Sequence, residues 1–141
     1  MLKNNLPLKL GNQKVETPAI CASIIGESIR CMEEDAKKAL RQGADILEMR
    51  LDKLNKTKGW EKLLSQKVPL IVTNRSKKEG GHFEGKETDR TRILEKAIHE
   101  AADCIDIELS TDPAERKKLL EEAEKNEVST ILSFHDFERV P

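Results

Sequence analysis

The stretch Asp45-Ile46-Leu47-Glu48-Met49-Arg50-Leu51 decides how the chain is read. It is about strand length, and it carries charge where a buried strand is normally apolar. Glu48 and Arg50 are two residues apart, so a strand places both on one face and Leu47 and Met49 on the other. Four further runs of similar length lie around it: Ala19-Ile20-Cys21-Ala22-Ser23-Ile24, Pro69-Leu70-Ile71-Val72-Thr73, Cys104-Ile105-Asp106-Ile107-Glu108-Leu109 and Thr130-Ile131-Leu132-Ser133-Phe134-His135. As a set they are rich in β-branched residues, which favours strand over helix.

Helical patterns separate the runs. Ser28 to Gln42 puts Ile29, Met32, Ala36, Ala39 and Leu40 on one stripe, and Gly43 suits the position after a helix. Glu87 to Ala102 does the same with Ile93, Leu94, Ala97, Ile98 and Ala101. Asp112-Pro113-Ala114-Glu115 is a helix start, with an Asp cap, Pro at the first turn and Glu placed for a capping box. Trp60 to Gln66 reads as a shorter helix. Four strand–helix units and a fifth strand imply a parallel α/β sheet, either open and doubly wound or part of a barrel. Ahead of them, Leu8-Lys9-Leu10 and Lys14-Val15-Glu16 flank Gly11-Asn12-Gln13 as a small hairpin, giving an expected hairpin segment at 1–17 and an α/β body at 18–141.

Composition removes several function classes. With 25 basic and 26 acidic residues among 141, the net charge of −1 offers no global reason to expect nucleic acid or an anionic membrane as partner. The longest uncharged apolar-rich stretch, Ala19 to Gly26, is far shorter than the roughly 20 residues of a membrane span, and no signal-peptide pattern is visible. Cys21, Cys31 and Cys104 are odd in number and lack C-x-x-C spacing, so a reduced, cytoplasmic protein is expected. Dinucleotide and Walker-type glycine motifs are absent, and His82, His99 and His135 show no metal-ligand spacing.

Polar residues inside the strands remain. Ser23, Glu48 with Arg50, Arg75, Asp106 with Glu108, and Ser133 with His135 fall toward the C-terminal ends, where parallel α/β folds gather ligands. Taken singly, each has a structural reading: Glu48, Arg50 and Arg75 as an ion-pair network, Asp106 and Glu108 as scaffold groups, Ser23 and His135 as satisfied interior residues. Five strands placing polar groups at one end point instead to an acid–base pocket for a small polar, anionic molecule.

Four of these stretches together resemble the type I 3-dehydroquinate dehydratases: Ile46-Leu47-Glu48-Met49-Arg50-Leu51-Asp52, Arg75 with Glu79-Gly80-Gly81, Cys104 to Leu109, and Ser133-Phe134-His135-Asp136-Phe137. Met49 stands where the family often has an aromatic, and Phe134 at a variable position. The resemblance implies a (β/α)8 TIM barrel whose bottom is closed by the hairpin, this chain supplying the first five strands. It also implies a lyase of the shikimate pathway that converts 3-dehydroquinate to 3-dehydroshikimate without metal or cofactor. His135 would be the proton carrier and Glu79 its paired carboxylate. Glu48, Arg50 and Arg75 would surround the substrate hydroxyls with Ser23 as a minor contact, and Asp106 and Glu108 would support them. The family's Schiff-base lysine lies on the strand after the histidine strand. The six residues following His135 contain no lysine, so this stretch of chain alone is expected to be inactive. By the same analogy a homodimer is expected. The alternative is a non-catalytic half-barrel scaffold or anion-binding subunit that assembles with a second chain.

Overall fold

A computed structural model describes residues 6–140, so residues 1–5 of the expected hairpin segment and Pro141 lie outside it. Strands β1 (Leu8–Leu10) and β2 (Gln13–Val15) form the antiparallel hairpin. Strands β3 (Cys21–Ile25), β4 (Ile46–Arg50), β5 (Leu70–Thr73), β6 (Cys104–Glu108) and β7 (Ser129–Ser133) form one parallel sheet in chain order. Helices α1 (Ile29–Arg41), α2 (Glu87–His99) and α3 (Pro113–Lys125) fill three of the four connections. Sequential order with every strand parallel is the winding of a barrel, since a doubly wound sheet reverses its order at a switch point.

Two of the helices, α1 and α3, begin where local chemistry predicts. The Ser28 hydroxyl accepts from the Cys31 amide at the start of α1, and Gly43, at φ +93°, follows its end. Asp112 Oδ1 accepts from the amides of Ala114 and Glu115. The expected capping box does not close, because the Glu115 carboxylate takes the Thr91 hydroxyl of α2 at 2.8 Å. Two expectations need correction. Residues 60–66 form only a 3-10 turn, Trp60–Leu64, whose Trp60 and Leu63 plug the core. The helix expected to reach Ala102 stops at His99.

The sheet has two unlike faces. Ile24, Leu47, Met49, Val72, Ile105 and Ile107 point to the helices and join Met32, Ala36, Leu94, Ala97, Ile98 and Leu119 in the main core. Each of these side chains larger than alanine contributes about 1.5–3 kcal/mol of burial. On the opposite face a small second core of Leu10, Val15, Ile46, Ile71 and Cys104 forms where the hairpin closes the N-terminal end. Gly11 makes that closure possible: its amide donates to the Ser129 hydroxyl at 2.8 Å, and a Cβ there would sit 2.9 Å from the Asp103 carbonyl oxygen. Above this floor the same face turns polar.

Candidate active site

The polar layer begins where period-two alternation carries the inner face past Ile46, Ile71 and Cys104 to Glu48, Thr73 and Asp106. Glu48 accepts the Ser23 hydroxyl from β3 and the Thr73 hydroxyl, the latter at 2.7 Å. Arg50 does not pair with Glu48 or Arg75 as the ion-pair reading held; it grips Asp52 with Nε and Nη2 at 2.8 and 2.9 Å. Arg75, 5% exposed, forks onto Asp106 at 3.1 and 3.2 Å and reaches the Ser133 hydroxyl at 2.7 Å. Ser133 also donates to Asp106 at 2.6 Å. Glu108 takes the Ser76 amide and hydroxyl and, at 2.5 Å, Nη1 of Arg90. The scaffold reading of Asp106 and Glu108 therefore describes their contacts, with arginines as partners.

Glu79 and His135 meet above this layer. Glu79 is 3% exposed, and its Oε1 accepts the Ser110 hydroxyl at 2.5 Å. Its Oε2 lies 3.0 Å from both the backbone nitrogen and Nδ1 of His135. Burial pushes the Glu79 pKa up, but the bonds from Ser110 and from the ring and backbone of His135 outweigh it and hold the pKa below the usual range. An ionised carboxylate only accepts, so Nδ1 carries the hydrogen, and in the neutral ring the lone pair is therefore on Nε2. The His135 side chain is 38% exposed, and Nε2 has no partner among the described residues. That combination is a base held in one tautomer with its basic nitrogen open.

Glycine shapes the loop that presents Glu79. Gly80 adopts φ +78°, and a Cβ on Gly81 would lie 2.2 Å from the Arg75 carbonyl oxygen, so the chain can fold back only without a side chain. A cleft of about 800 Å³ lies outside this loop, lined among others by Ser76, Arg90 and Ser110. Those three groups are already bound to Glu108 and Glu79, and the same lining includes Lys77 and Lys78. No cluster of three His, Cys, Asp or Glu able to hold a metal occurs among the described residues, and no described helix is long and apolar enough to cross a membrane.

Sequence reading missed Asp52, Thr73, Arg90 and Ser110. Arg90 was legible: it precedes Leu94, Ala97 and Ile98 at helical spacing, on the buried stripe of α2.

The family model for type I 3-dehydroquinase matches residues 20–141. The chain belongs to this family. It is 39% identical to the 3-dehydroquinate dehydratase of Methanococcoides burtonii, over 95% of this chain and 59% of that protein. Over 98% of its length it is 34% identical to the chloroplastic bifunctional 3-dehydroquinate dehydratase/shikimate dehydrogenase of Arabidopsis thaliana, of which it covers 24%. Among solved structures, the type I 3-dehydroquinate dehydratase of Clostridium difficile with covalently modified comenic acid superposes at a TM-score of 0.85 and 27% identity, covering 97% of this chain and 59% of that one. The Geobacillus kaustophilus 3-dehydroquinate dehydratase gives 0.82 and 25%, over 96% and 58%. The chain thus spans somewhat over half of these dehydratase chains, and its five parallel strands are part of the family's TIM barrel.

Proposed function

We propose that this chain supplies the proton-transfer and hydroxyl-binding part of a type I 3-dehydroquinate dehydratase, which converts 3-dehydroquinate to 3-dehydroshikimate and water. The observation that carries the reading is the contact between buried Glu79 and His135 Nδ1 at 3.0 Å, because a base fixed in one tautomer is what proton abstraction beside a ketone requires. His135 Nε2 takes the proton from carbon and returns it to the departing hydroxyl, so the sum is loss of one water. The imidazolium formed between the two steps faces the Glu79 carboxylate, which stabilises it. Ser23, Glu48, Arg50 and Arg75 surround the substrate hydroxyls, while Asp106 supports Arg75 and Glu108 supports Arg90 beneath them. The reading assigns ketone capture to a lysine outside residues 1–141, since among the described residues no lysine lies on β3 to β7. Residues 1–141 alone are therefore expected to be inactive.

Three further assignments complete the proposal. Residues 1–17 act as the hairpin plug and 18–141 as the barrel segment. Three free cysteines, Cys104 buried, suit a reduced cytoplasm. A second copy is the expected partner by analogy with the family, whereas the open β3 and β7 edges are where further barrel strands would pair.

A chimera tests the reading. Residues 1–141 replace the matching part of the Methanococcoides burtonii enzyme, and 3-dehydroshikimate formation is followed. Turnover is expected, with His135→Ala lowering kcat by roughly 10²–10⁴-fold. A folded chimera with no turnover, or a His135→Ala variant with undiminished kcat, would overturn it.

A further inference from the structure

Asp52 stands immediately beyond β4, and its side chain is completely enclosed. It gathers contacts from two directions. Toward β4 it takes the Nε and Nη2 donors of Arg50. Toward the loop between β5 and α2 it accepts the backbone N–H of His82 at 3.0 Å and that of Arg75. That loop carries Glu79 at its centre. One carboxylate therefore joins the Arg50 arm to the segment that presents the partner of His135.

The fork matters because of what it leaves over. Two of the three guanidinium nitrogens of Arg50 are committed to Asp52, and Nη1 has no partner among the described residues. The Arg50 side chain is 20% exposed, so it is open on one side only. An unrestrained arginine spreads over many rotamers and loses that freedom when a ligand binds. A planar bidentate pair removes the loss beforehand and fixes where the remaining donor points. Burial alone would push the Asp52 pKa up, yet the Arg50 hydrogen bonds and charge, with the His82 and Arg75 amides, hold it below the usual carboxylate range. The fork stays ionic under neutral conditions.

We propose that Asp52 is a positioning residue that aims Nη1 of Arg50 at a hydroxyl of the ligand and ties that arm to the Glu79 loop. This rests on the reading that Arg50 binds substrate. Asp52 touches no substrate itself; it acts through Arg50, so its removal appears in binding rather than in the chemical step. Glu79 keeps its own bonds to Ser110 and His135, which leaves the proton-transfer pair in place.

The test has a turnover arm and a binding arm. In the chimera, Asp52→Asn should raise KM about tenfold with kcat within about threefold of the parent, the size expected for a lost charge-assisted hydrogen bond. In an Arg50→Ala background the same substitution should change KM less than twofold, because the route through Arg50 is already gone. Leu119→Ala, in the core under α3, lowers stability without touching Arg50 and should leave KM alone. An unchanged KM in Asp52→Asn, or its full effect persisting without Arg50, would overturn the proposal. A chimera with no turnover removes the proposed function and leaves the binding arm to decide. There, calorimetry of 3-dehydroquinate on the 141-residue chain should show affinity about tenfold weaker in Asp52→Asn. Equal affinities, or no binding to the parent, would overturn it. Should Asp52→Asn not fold, Arg50→Lys keeps the charge but not the fork; a parental KM in that variant would equally sink the idea.

Discussion

The two faces of one sheet obey different rules, although their residues alternate along the same strands. Leu47 and Met49 of β4 are fully buried against helices, while Glu48 between them faces Ser23 and Thr73 in the polar interior. The helix-covered face is largely apolar, although it admits the buried Arg90 and Thr91 of α2, and it supplies the driving force for folding. The interior face carries the charges of Arg50, Arg75, Asp106 and Glu108, arranged in pairs that roughly offset their own desolvation rather than adding stability. The contrast shows where function sits in this fold: a sheet made secure by one face can carry a costly polar network on the other.

The pairing claim can be broken most severely at Glu108 and Arg90, each 1% exposed. Glu108→Ala takes from the buried Arg90 guanidinium the more buried of its two carboxylates, leaving only Glu87, and should cost about 3–5 kcal/mol in urea unfolding. Replacing both, as Glu108→Leu with Arg90→Met, should recover much of that loss. If the double variant is no more stable than the single one, the cost lies in packing and not in the lost ion pair.

A comparison inside β4 sharpens the division of labour. Leu47→Ala should cost about 2–5 kcal/mol, as for other large-to-small changes in a closed core, and leave ligand affinity intact. Glu48→Gln keeps shape and one acceptor oxygen, and the Ser23 or Thr73 hydroxyl can turn to accept from the new amide, so the stability change should stay near 1 kcal/mol while affinity for 3-dehydroquinate falls. Parallel urea melts and calorimetry on both variants decide it. Equal loss of stability in both would mean that the interior face also supports the fold.

How much of this was visible in the sequence depended on whether the signal was local. Strand positions were legible because Glu48 and Arg50, or Asp106 and Glu108, recur every second residue, and observed strands begin and end within about two residues of expectation. Helix starts at Ser28 and Asp112 were equally legible, since a cap is written in three or four adjacent residues. Partner choice was not. Glu48 and Arg50 share a face but lie two residues apart along an extended strand, so hydroxyls on adjacent strands are better placed for Glu48. Arg50 turned to Asp52 because the chain bends into a 3-10 turn directly after β4 and brings that carboxylate back. Gly80 and Gly81 serve the close return of the loop onto Arg75. Ser110 gave no signal at all, since a serine after a strand has no distinctive pattern.

The smallest effect expected separates the two ends of the interior face by pH. At the C-terminal end, Asp52 and Glu79 have folded pKa values below the ordinary carboxylate range. Their contribution is therefore complete above the unfolded values near pH 4 to 4.5 and is lost as pH falls through the folded ones. Glu87, lowered by its bonds to Arg90, acts in the same direction; Asp103, raised by burial, acts in the opposite one. At the floor, burial pushes the Cys104 thiol up to about 12, and it raises the Cys21 thiol in the same direction. The Cys104 contribution is complete below the unfolded value near 9 and disappears as pH rises toward 12. The chain has no tyrosine, so that limb is not masked by phenol ionisation. Melting temperature plotted against pH should thus show an acid limb that Asp52→Asn flattens and an alkaline limb that Cys104→Ala flattens, each leaving the other unchanged. One substitution altering both limbs would show that the floor and the polar layer respond as a single unit, and the separation between them would have to be abandoned.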